Sequence, residues 1–564
     1  MKFIKYLASG LLSAILVFSV VGCSDKTDKP VDPTDSLSGT IDIYLPLDIR
    51  EKEALEIVAS EYRRLHPNVT VSVEPSSDPS GYAKAVEGII LAPNEAKGDV
   101  MQVNVVNQYY GTDKIVDFSS YLSRRNPYAE NTPVWRSLLE EDAYRTEENG
   151  QTIPSLSYQS NSLLVFYNKK VFSENGWSVP SSWEELIGLL QDAKEKGYDY
   201  PLAVNYDKSG ITGNNFEWLM HMYMDQYFRD MCEVAHSRES DYSYIEEIDA
   251  DWTYSAEKGD IDLRSGYTYN LSRLIDAYFN GNEFNPKSAR FADMMANFYQ
   301  LTRYASSSYT VARARSAFHN GVLNIENGSQ SKAESAVLYV ARMDYIADYQ
   351  TSIGGVLDFT GGTMPASALN ESLGCFAMPA MTDNAGVTGG APASDRVRTL
   401  GGPDHRPIGI IYRSREKTEL VMDFLMYWLS PVGMETFYSY YTERGLVCPL
   451  TCLVKNVIIS PDTDFNDMPT FVGDCDLNPY QIFGCGYTDG VFESSTGGTV
   501  RDGVSEQIRN YLTGNSSDWS AYGVAVYNKI YSGFANYAEW KRLKFASPEQ
   551  ASSYFSVNPI KLQQ

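Results

Sequence analysis

SLSYQSNSLLVFYNKKVF, residues 155–172, changes character halfway along its length. Uncharged hydrogen-bonding side chains, among them Tyr158, Gln159 and Asn161, precede the apolar run LLVF at 163–166. A short apolar run with polar flanks is typical of a buried strand. The sequence therefore predicts a buried strand whose entrance is lined with groups that need hydrogen-bond partners.

A helix and a second strand are predicted directly after this segment. Ser182 is placed as the N-cap, Glu185 reaches back to it, and apolar residues then recur at helical spacing until Gly197. Residues 201–204, PLAV, are interpreted as the next strand. This order of strand, helix and strand is typical of α/β proteins.

The residues before the opening segment alternate in the same way. Strands are predicted over 40–45, 69–73 and 99–103, with helices between them. This order indicates parallel βαβ units with right-handed crossovers. Ligands bind beyond the carboxyl ends of such strands, which here are the loops 46–50 and 104–110.

Two more regions complete the prediction of secondary structure. The chain from about residue 205 to residue 350 is predicted to be helical and is rich in Tyr, Met and Trp. After Thr399 a glycine-bearing strand is predicted to lead into a helix over 416–429.

Length and charge narrow the function classes. A chain of 564 residues is too long for one hydrophobic core, so two or more lobes are expected. The formal net charge of −25 disfavours nucleic acid, because a phosphate-binding surface needs clustered lysine and arginine. The charge also disfavours strongly anionic ligands, although it is compatible with a local basic pocket.

The N-terminus has the pattern of a secreted bacterial lipoprotein. Lys2 and Lys5 precede an apolar run over 6–21, which ends at Gly22 and Cys23. The residues VVGC resemble a lipobox, in which the cysteine carries fatty acids such as palmitate and becomes the mature N-terminus. A signal peptide over 1–22 and a flexible tether over 23–39 are predicted, and a plain transmembrane anchor is the alternative.

The remaining cysteines leave two alternatives open, since they either form disulfides outside the cytoplasm or stay small buried hydrophobic residues. They are Cys232, Cys375, Cys448, Cys452, Cys475 and Cys485. Acidic runs that begin at Asp249, Asp462 and Asp474 lack the glycine and glutamate that a calcium loop needs at its sixth and twelfth positions. No metal and no cofactor is therefore expected.

Several segments together resemble the extracellular solute-binding proteins, family 1, of sugar-importing ABC transporters. In chain order they are the lipobox at Cys23, ALEIVASEYRRLHPNVTV, GDVMQV, the run over 153–204, AFHNGVLNIENGSQS, SREKTELVMDFLMYWLSPVGMETFY, RGLVCPL and SEQIRNYLTGNSSDWSAYGVAV. Their order and spacing are more specific than any single piece. YNKKVF followed by VPSSWEEL is the strongest of them.

The resemblance implies an α/β, two-lobed fold like that of the type II periplasmic binding proteins. Each lobe would hold a mixed sheet flanked by helices, and hinge crossovers would join the lobes. Lobe 1 is expected over 40–158 and 398–450, and lobe 2 over 159–397 and 451–564. In AFHNGVLNIENGSQS the resemblance implies a strand followed by polar residues.

The resemblance also implies a ligand-binding cleft between the lobes. For Asp48 the alternative role is a helix cap, and for Trp218 it is a place in the core. Arg501 stands where relatives often have an aromatic residue, which is compatible with an acidic sugar. The expected ligand-binding residues are Tyr44, Asp48, Asn104, Asn107, Gln108, Tyr158, Gln159, Asn161, Asn205, Tyr206, Trp218, Ser329, Gly402, Asp404 and Arg501.

The function implied is binding without catalysis. The protein would capture an oligosaccharide by lobe closure and deliver it to the permease subunits of an ABC transporter. It would be extracytoplasmic, monomeric, anchored to the bacterial cell membrane by lipid at Cys23, and without a nucleic-acid partner. The alternative is a surface-tethered glycoside hydrolase, which would need two carboxylates roughly 5–10 Å apart.

Overall fold

The computed structural model describes most of the chain between residues 37 and 540. The described residues are 37–76, 78, 81–93, 97–140, 143–144, 152–206, 215–228, 230–241, 244–254, 270, 273, 277, 281, 283–327, 332–357, 359, 362–384, 386, 401–402, 407–459 and 499–540. The predicted signal peptide, Cys23, Cys475, Cys485 and the acidic runs at Asp462 and Asp474 lie outside them. Across these ranges, no helix combines the length and the apolar character needed to cross a membrane.

Helices and strands are numbered in chain order. The helices in the described ranges are α1 (Ile49–Leu65), α2 (Tyr82–Leu91), α3 (Ser119–Leu122), α4 (Lys169–Asn175), α5 (Trp183–Glu195), α6 (Asn215–Phe228), α7 (Met231–Ala235), α8 (Glu246–Asp249), α9 (Ala289–Thr302), α10 (Val311–Asn327), α11 (Tyr345–Val356), α12 (Ala366–Ser372), α13 (Arg415–Trp428), α14 (Pro431–Glu443), α15 (Thr499–Thr513) and α16 (Ser520–Trp540). The strands are β1 (Gly39–Leu45), β2 (Val69–Pro75), β3 (Val100–Gln102), β4 (Gln159–Asn168), β5 (Leu202–Ala203), β6 (Leu338–Arg342), β7 (Leu373–Phe376), β8 (Gly401–Gly402), β9 (Ile408–Ile410) and β10 (Thr451–Cys452).

The first sheet has the strand order β2–β1–β3–β9. β1 is parallel to β2 and to β3, whereas β9 is antiparallel to β3. The three parallel strands and the helices between them confirm the predicted βαβ units. Because parallel strands end at the same edge, the loops after β1, β2 and β3 lie together.

The first hydrophobic core covers one face of this sheet. Ile41 and Ile43 of β1 pack there with residues of α1, α13 and α14, and Trp428 is fully buried among them. The residues of this core come from 41–158 and from 408–454. The chain therefore leaves the first core after residue 158 and returns to it before residue 408.

The second sheet is built around β4. Its order is β10–β4–β6–β5, and β7 and β8 also pair with β4. Leu163 and Val165 point into a core that includes α5, α6 and α9, whereas Leu164 and Phe166 point into a core on the opposite face. The apolar run at 163–166 is thus the buried strand that the sequence predicts.

β6 lies inside the region that was predicted to be helical, so the prediction over 205–350 is wrong there. The apolar run that covers most of this strand, 336–341, is only six residues long. Periodicity cannot separate so short a run from a buried helical turn. Pairing with β4 on one side and β5 on the other decides the structure.

The strand implied within AFHNGVLNIENGSQS is also wrong, because α10 continues through this segment to Asn327. Ala314, Ala317, Phe318 and Val322 recur at helical spacing and pack into the core beneath Leu164. One apolar stripe buried along its length stabilises a helix here.

Candidate functional site

The start of β4 connects the two lobes. Tyr158 packs in the first core and Leu163 in a core of the second sheet, so residues 159–162 lie between them. We call residues 159–162 the crossover segment. β10 pairs with its first half and β8 with its second half, both antiparallel. Three stretches of chain therefore run side by side where the lobes meet.

The side chains of the crossover segment are polar and buried. Gln159 and Asn161 are 1% exposed, and Ser160 has no exposed surface. Gln159 Nε2 donates to the hydroxyl of Tyr438 at 3.1 Å. Asn161 Oδ1 accepts a hydrogen bond from the backbone amide of Asp344 at 3.3 Å. These contacts fix the two amide groups in place.

The three residues also hold buried polar atoms that have no hydrogen-bond partner in the described part of the chain. The atoms are Gln159 Oε1, Ser160 Oγ and Asn161 Nδ2. Leaving one such atom unpaired costs about 1–3 kcal/mol, and native structures rarely do so. A hydroxyl group both donates and accepts, so a molecule rich in hydroxyls satisfies acceptor and donor alike. The crossover segment thus has the chemistry of a polyol-binding floor.

Arg342 lies beside Asn161 on the second sheet. In the register of β4 and β6, Leu163 stands opposite Arg342. Alternate residues of a strand share a face, so Arg342 lies diagonally across from Asn161 on the same face. The guanidinium carbon of Arg342 is 5.0 Å from the centroid of the Trp218 ring. An amide, a guanidinium and an indole ring therefore share one side of the sheet.

Hydrogen bonds of two asparagines, Asn205 and Asn215, position the start of α6 and therefore Trp218 on this side of the second sheet. Asn205 Oδ1 accepts a hydrogen bond from the backbone amide of Asn215 at 3.2 Å, and Asn215 Nδ2 donates to the carbonyl of Val340 at 2.9 Å. These bonds tie the first turn of α6 to the middle of β6 and to the chain just after β5, which runs parallel to β6. Trp218 follows within that turn and is partly buried against the core of the second sheet.

Tyr206 serves the core of the second lobe. It is 2% exposed, its ring packs 5.4 Å from that of Phe216, and its hydroxyl lies 3.1 Å from the carbonyl oxygens of Thr302 and Ala305. Burial raises the pKa of Tyr206 to about 12. Its role as a ligand contact stays a prediction.

A second group of predicted residues lies in the first lobe. The rings of Tyr44 and Tyr82 are 5.3 Å apart, and the Tyr82 hydroxyl donates to the carbonyl of Tyr44 at 2.8 Å. The same hydroxyl accepts from the backbone amide of Gln102, whose side-chain Nε2 donates to Asn104 Oδ1 at 2.9 Å. Tyr44 and Asn104 are therefore held together where β1 and β3 end.

Asp48 and Gln108 are exposed at the same end of the first lobe. Asp48 Oδ1 accepts from the backbone amide of Glu51 at 2.9 Å, and Glu51 Oε2 accepts from the amide of Asp48 at 3.0 Å. This reciprocal pair is a capping box, so the alternative role of Asp48 as a helix cap is present. Gln108 Nε2 lies 3.5 Å from Glu87 Oε1.

The other predicted residues are placed as follows. Tyr158 is 1% exposed, with its ring 4.8 Å from Trp428 inside the first core. Gly402 pairs with Asn161 through β8. Asn107 lies in a 3₁₀ segment and Arg501 in α15, but their side chains, like the whole of Ser329 and Asp404, lie outside the described residues.

No disulfide joins any two of the cysteines that the structure describes, which are Cys232, Cys375, Cys448 and Cys452. Cys448 Sγ lies 3.1 Å from Gln159 Nε2, beside the crossover segment. Burial raises the pKa of the Cys448 thiol to about 12, so the thiol is protonated at neutral pH. Within the described ranges, no three acidic, histidine or cysteine side chains form a group that could hold a metal ion.

Arg342 and Asp344 are residues of this site that sequence reasoning missed. Arg342 is the last residue of β6 and Asp344 lies two residues after it, in the region for which the sequence predicts helix. The available signal was the apolar run LYVA followed by Arg342, Met343 and Asp344, because polar residues after a buried strand of an α/β sheet indicate its carboxyl end.

Residues 48–232 match the family described as bacterial extracellular solute-binding protein. Over these residues the chain is similar to the predicted family. The match spans about a third of the chain and includes the crossover segment and Trp218. The diacetylchitobiose binding protein NgcE of Streptomyces coelicolor strain A3(2) is 44% identical over 43 residues, which cover 8% of this chain and 9% of that protein. The aligned stretch is thus less than a tenth of that relative.

Solved structures show the same fold. A probable secreted solute-binding lipoprotein from Streptomyces coelicolor has a TM-score of 0.52 and 13% identity, over 89% of this chain and 99% of that one. A cyclic alpha-maltosyl-1,6-maltose binding protein from Arthrobacter globiformis has a TM-score of 0.50 and 13% identity, over 89% of this chain and 100% of that one. These likenesses confirm the two-lobed α/β fold.

The capping box at Asp48 generates a test of its role. Asp48→Ala should lower the free energy of unfolding by about 1 kcal/mol, because it removes the acceptor for the Glu51 amide. Asp48→Asn should keep the stability, since asparagine is an equally good N-cap. Urea denaturation measures both. Unchanged stability in Asp48→Ala would contradict the cap, and weaker sugar binding by a fully stable Asp48→Asn would reveal a ligand contact in addition.

Proposed function

We propose that this protein captures an oligosaccharide between its two lobes and delivers it to the permease of an ABC importer. The observation that carries the proposal is the crossover segment. Gln159, Ser160 and Asn161 are buried where the lobes meet, and each keeps a polar atom without a partner in the described ranges. The segment lies inside the stretch that matches the solute-binding family.

A sugar suits these groups better than other small ligands do. Sugars expose hydroxyls around the ring edge and C–H groups on the ring faces, so they need amides at the edge and aromatic rings on the faces. Asn161 and Gln159 supply the amides, and Trp218 supplies an aromatic face on the same side of the sheet. The names of two relatives support this reading, since one binds diacetylchitobiose and one a cyclic maltosyl-maltose.

Lobe closure is the proposed mechanism. A ligand that contacts both lobes stabilises the closed arrangement by its differential affinity for that state. Hinges of this kind are a few residues at the ends of elements, as residues 159–162 are at the start of β4. We place the lobes at 40–158 with 398–450 and at 159–397 with 451–564. The first core extends as far as Val454, so the return crossover includes β10.

The protein is proposed to act without chemistry of its own, as a monomer. Its family is one of binding proteins, which does not favour the alternative of a tethered glycoside hydrolase. The family also implies an extracytoplasmic location, and we propose that acylated Cys23 anchors the protein to the cell membrane through the tether at 23–39.

Asn161 tests the binding floor. Asn161→Ala should weaken oligosaccharide binding roughly five- to a hundredfold, because a sugar hydroxyl loses its buried partner. The melting temperature without ligand should fall only slightly, since the side chain loses one long contact, 3.3 Å from the Asp344 amide, and Asn161 Nδ2 bonds no described residue. Calorimetric titration and thermal melting of the same samples measure the two effects.

Leu164→Ala is the control for this test, because its side chain is buried on the opposite face of β4. That variant should lose about 2–5 kcal/mol of stability and keep its affinity well below its melting temperature. Two results together would contradict these roles: Asn161→Ala melts early, and Leu164→Ala is folded but binds poorly. Asn161 would then belong to the core and Leu164 to the binding site. Release of reducing sugar from any glycan by the purified protein would contradict a role limited to binding.

Cys23 tests the proposed anchor. Cys23→Ala should release the protein from the membrane fraction, because the acylated residue is lost, and should leave sugar binding by the folded part unchanged. Fractionation of cells followed by immunoblotting measures the distribution. Variant protein that stays with the membranes after its signal peptide has been cleaved would rule out lipid at Cys23 as the anchor.

A further inference from the structure

Arg342 ends β6 at the edge where the second lobe meets the crossover segment. The next two residues bond to that segment, since the backbone amide of Met343 donates to the carbonyl of Ser162 at 2.9 Å and the amide of Asp344 donates to Asn161 Oδ1. The side chain of Arg342 stacks over Trp218 of α6. Both side chains are partly buried. The guanidinium is thus held at the floor of the proposed cleft rather than on an outer surface.

Arg342 differs from other arginines of the second lobe in its charge partners. Arg290 Nη1 lies 2.6 Å from Asp230 Oδ1, and Arg273 Nη2 lies 2.6 Å from Asp241 Oδ2. Among the described residues, no carboxylate forms an ion pair with Arg342, and its buried Nε has no hydrogen-bond acceptor. A guanidinium donor left without an acceptor is costly, so the site favours an incoming anion.

We propose that Arg342 determines specificity by binding a carboxylate of the captured sugar, so that the ligand is an oligosaccharide containing a uronic acid. The inference rests on the proposed function and names the substrate class of the same cleft. A planar guanidinium donates two parallel hydrogen bonds to a carboxylate, and stacking on Trp218 fixes the plane of the fork. Asn161 on the same face then bonds the hydroxyls of the acidic ring.

The net charge of the protein disfavours ligands that carry many negative charges. The net charge of −25 repels anions, and the repulsion grows with each negative charge on the ligand. One buried carboxylate against one unpaired arginine offsets that repulsion locally, whereas a chain of sulfates would meet it at every residue. The structure therefore favours a carboxylate-bearing sugar over a heavily sulfated one.

The experiment is calorimetric titration of the purified protein with probe pairs that differ in one carboxylate. Suitable pairs are trigalacturonate with its methyl ester and glucuronoxylotriose with xylotriose, and a sulfated neutral galactose oligosaccharide is added as a third arm. The acidic member of the pair that binds should bind about 10- to 100-fold more tightly than its neutral partner. Arg342→Gln should abolish this preference, so that the acidic and the neutral member of the pair bind with affinities within about threefold of each other.

Two further variants separate a contact from a general effect. Arg315→Gln removes one positive charge from the same lobe at an exposed ion pair with Asp348, so it should keep the preference. Arg342→Lys should keep part of the preference, because it retains the charge but not the fork. Melting temperatures establish that each variant is folded.

The possible failures are distinguishable. Tight binding of neutral oligosaccharides that Arg342→Gln does not alter would overturn the role of Arg342 and leave the proposed function standing. Binding of the sulfated probe alone would overturn the choice of a carboxylate. If no glycan binds in any arm, the proposed function fails, and this inference fails with it.

Discussion

The backbone pairing of residues 159–162 is the constraint on which the rest of the structure depends. β8 and β10 pair with this segment on the way between the two hydrophobic cores, so its path is fixed by hydrogen bonds rather than by side-chain packing. Gln159, Ser160 and Asn161 are buried by this path, and each keeps a polar atom that no described residue bonds. Burial without full hydrogen bonding is unfavourable, and it is the physical reason to expect a ligand there.

Backbone pairing of β4 also positions the side chains that would contact a ligand. The antiparallel register of β4 with β6 sets Arg342 on the face of Asn161, and the asparagine bonds at the start of α6 set Trp218 under the guanidinium. Hydrogen bonding, stacking and charge are thereby combined on one side of one sheet. The Tyr44 and Asn104 group holds the corresponding edge of the first lobe, where three parallel strands end.

The sequence predicts those parts of the fold that depend on local patterns. The βαβ units, the buried run at 163–166 and the cap at Asp48 each follow from a few neighbouring residues, and all are present. β6 was missed because its assignment depends on pairing with β4, which lies more than 170 residues earlier. Dependence on distant contacts also explains why the sequence could not distinguish Tyr158 from Gln159. The ring of Tyr158 packs on Trp428 in the first core, and no local pattern predicts a partner so distant in the chain. The predicted ligand contacts and lobe limits stay predictions.

In the proposed function, a sugar provides the missing hydrogen-bond partners for the polar atoms of the crossover segment. The most direct measurement is a crystal structure of the protein with the oligosaccharide that it binds most tightly. Sugar oxygens are expected within about 3 Å of Asn161 Nδ2 and Gln159 Oε1, the usual hydrogen-bond distance. A sugar bound elsewhere, with Asn161 Nδ2 and Gln159 Oε1 bonded only to protein groups, would contradict this expectation.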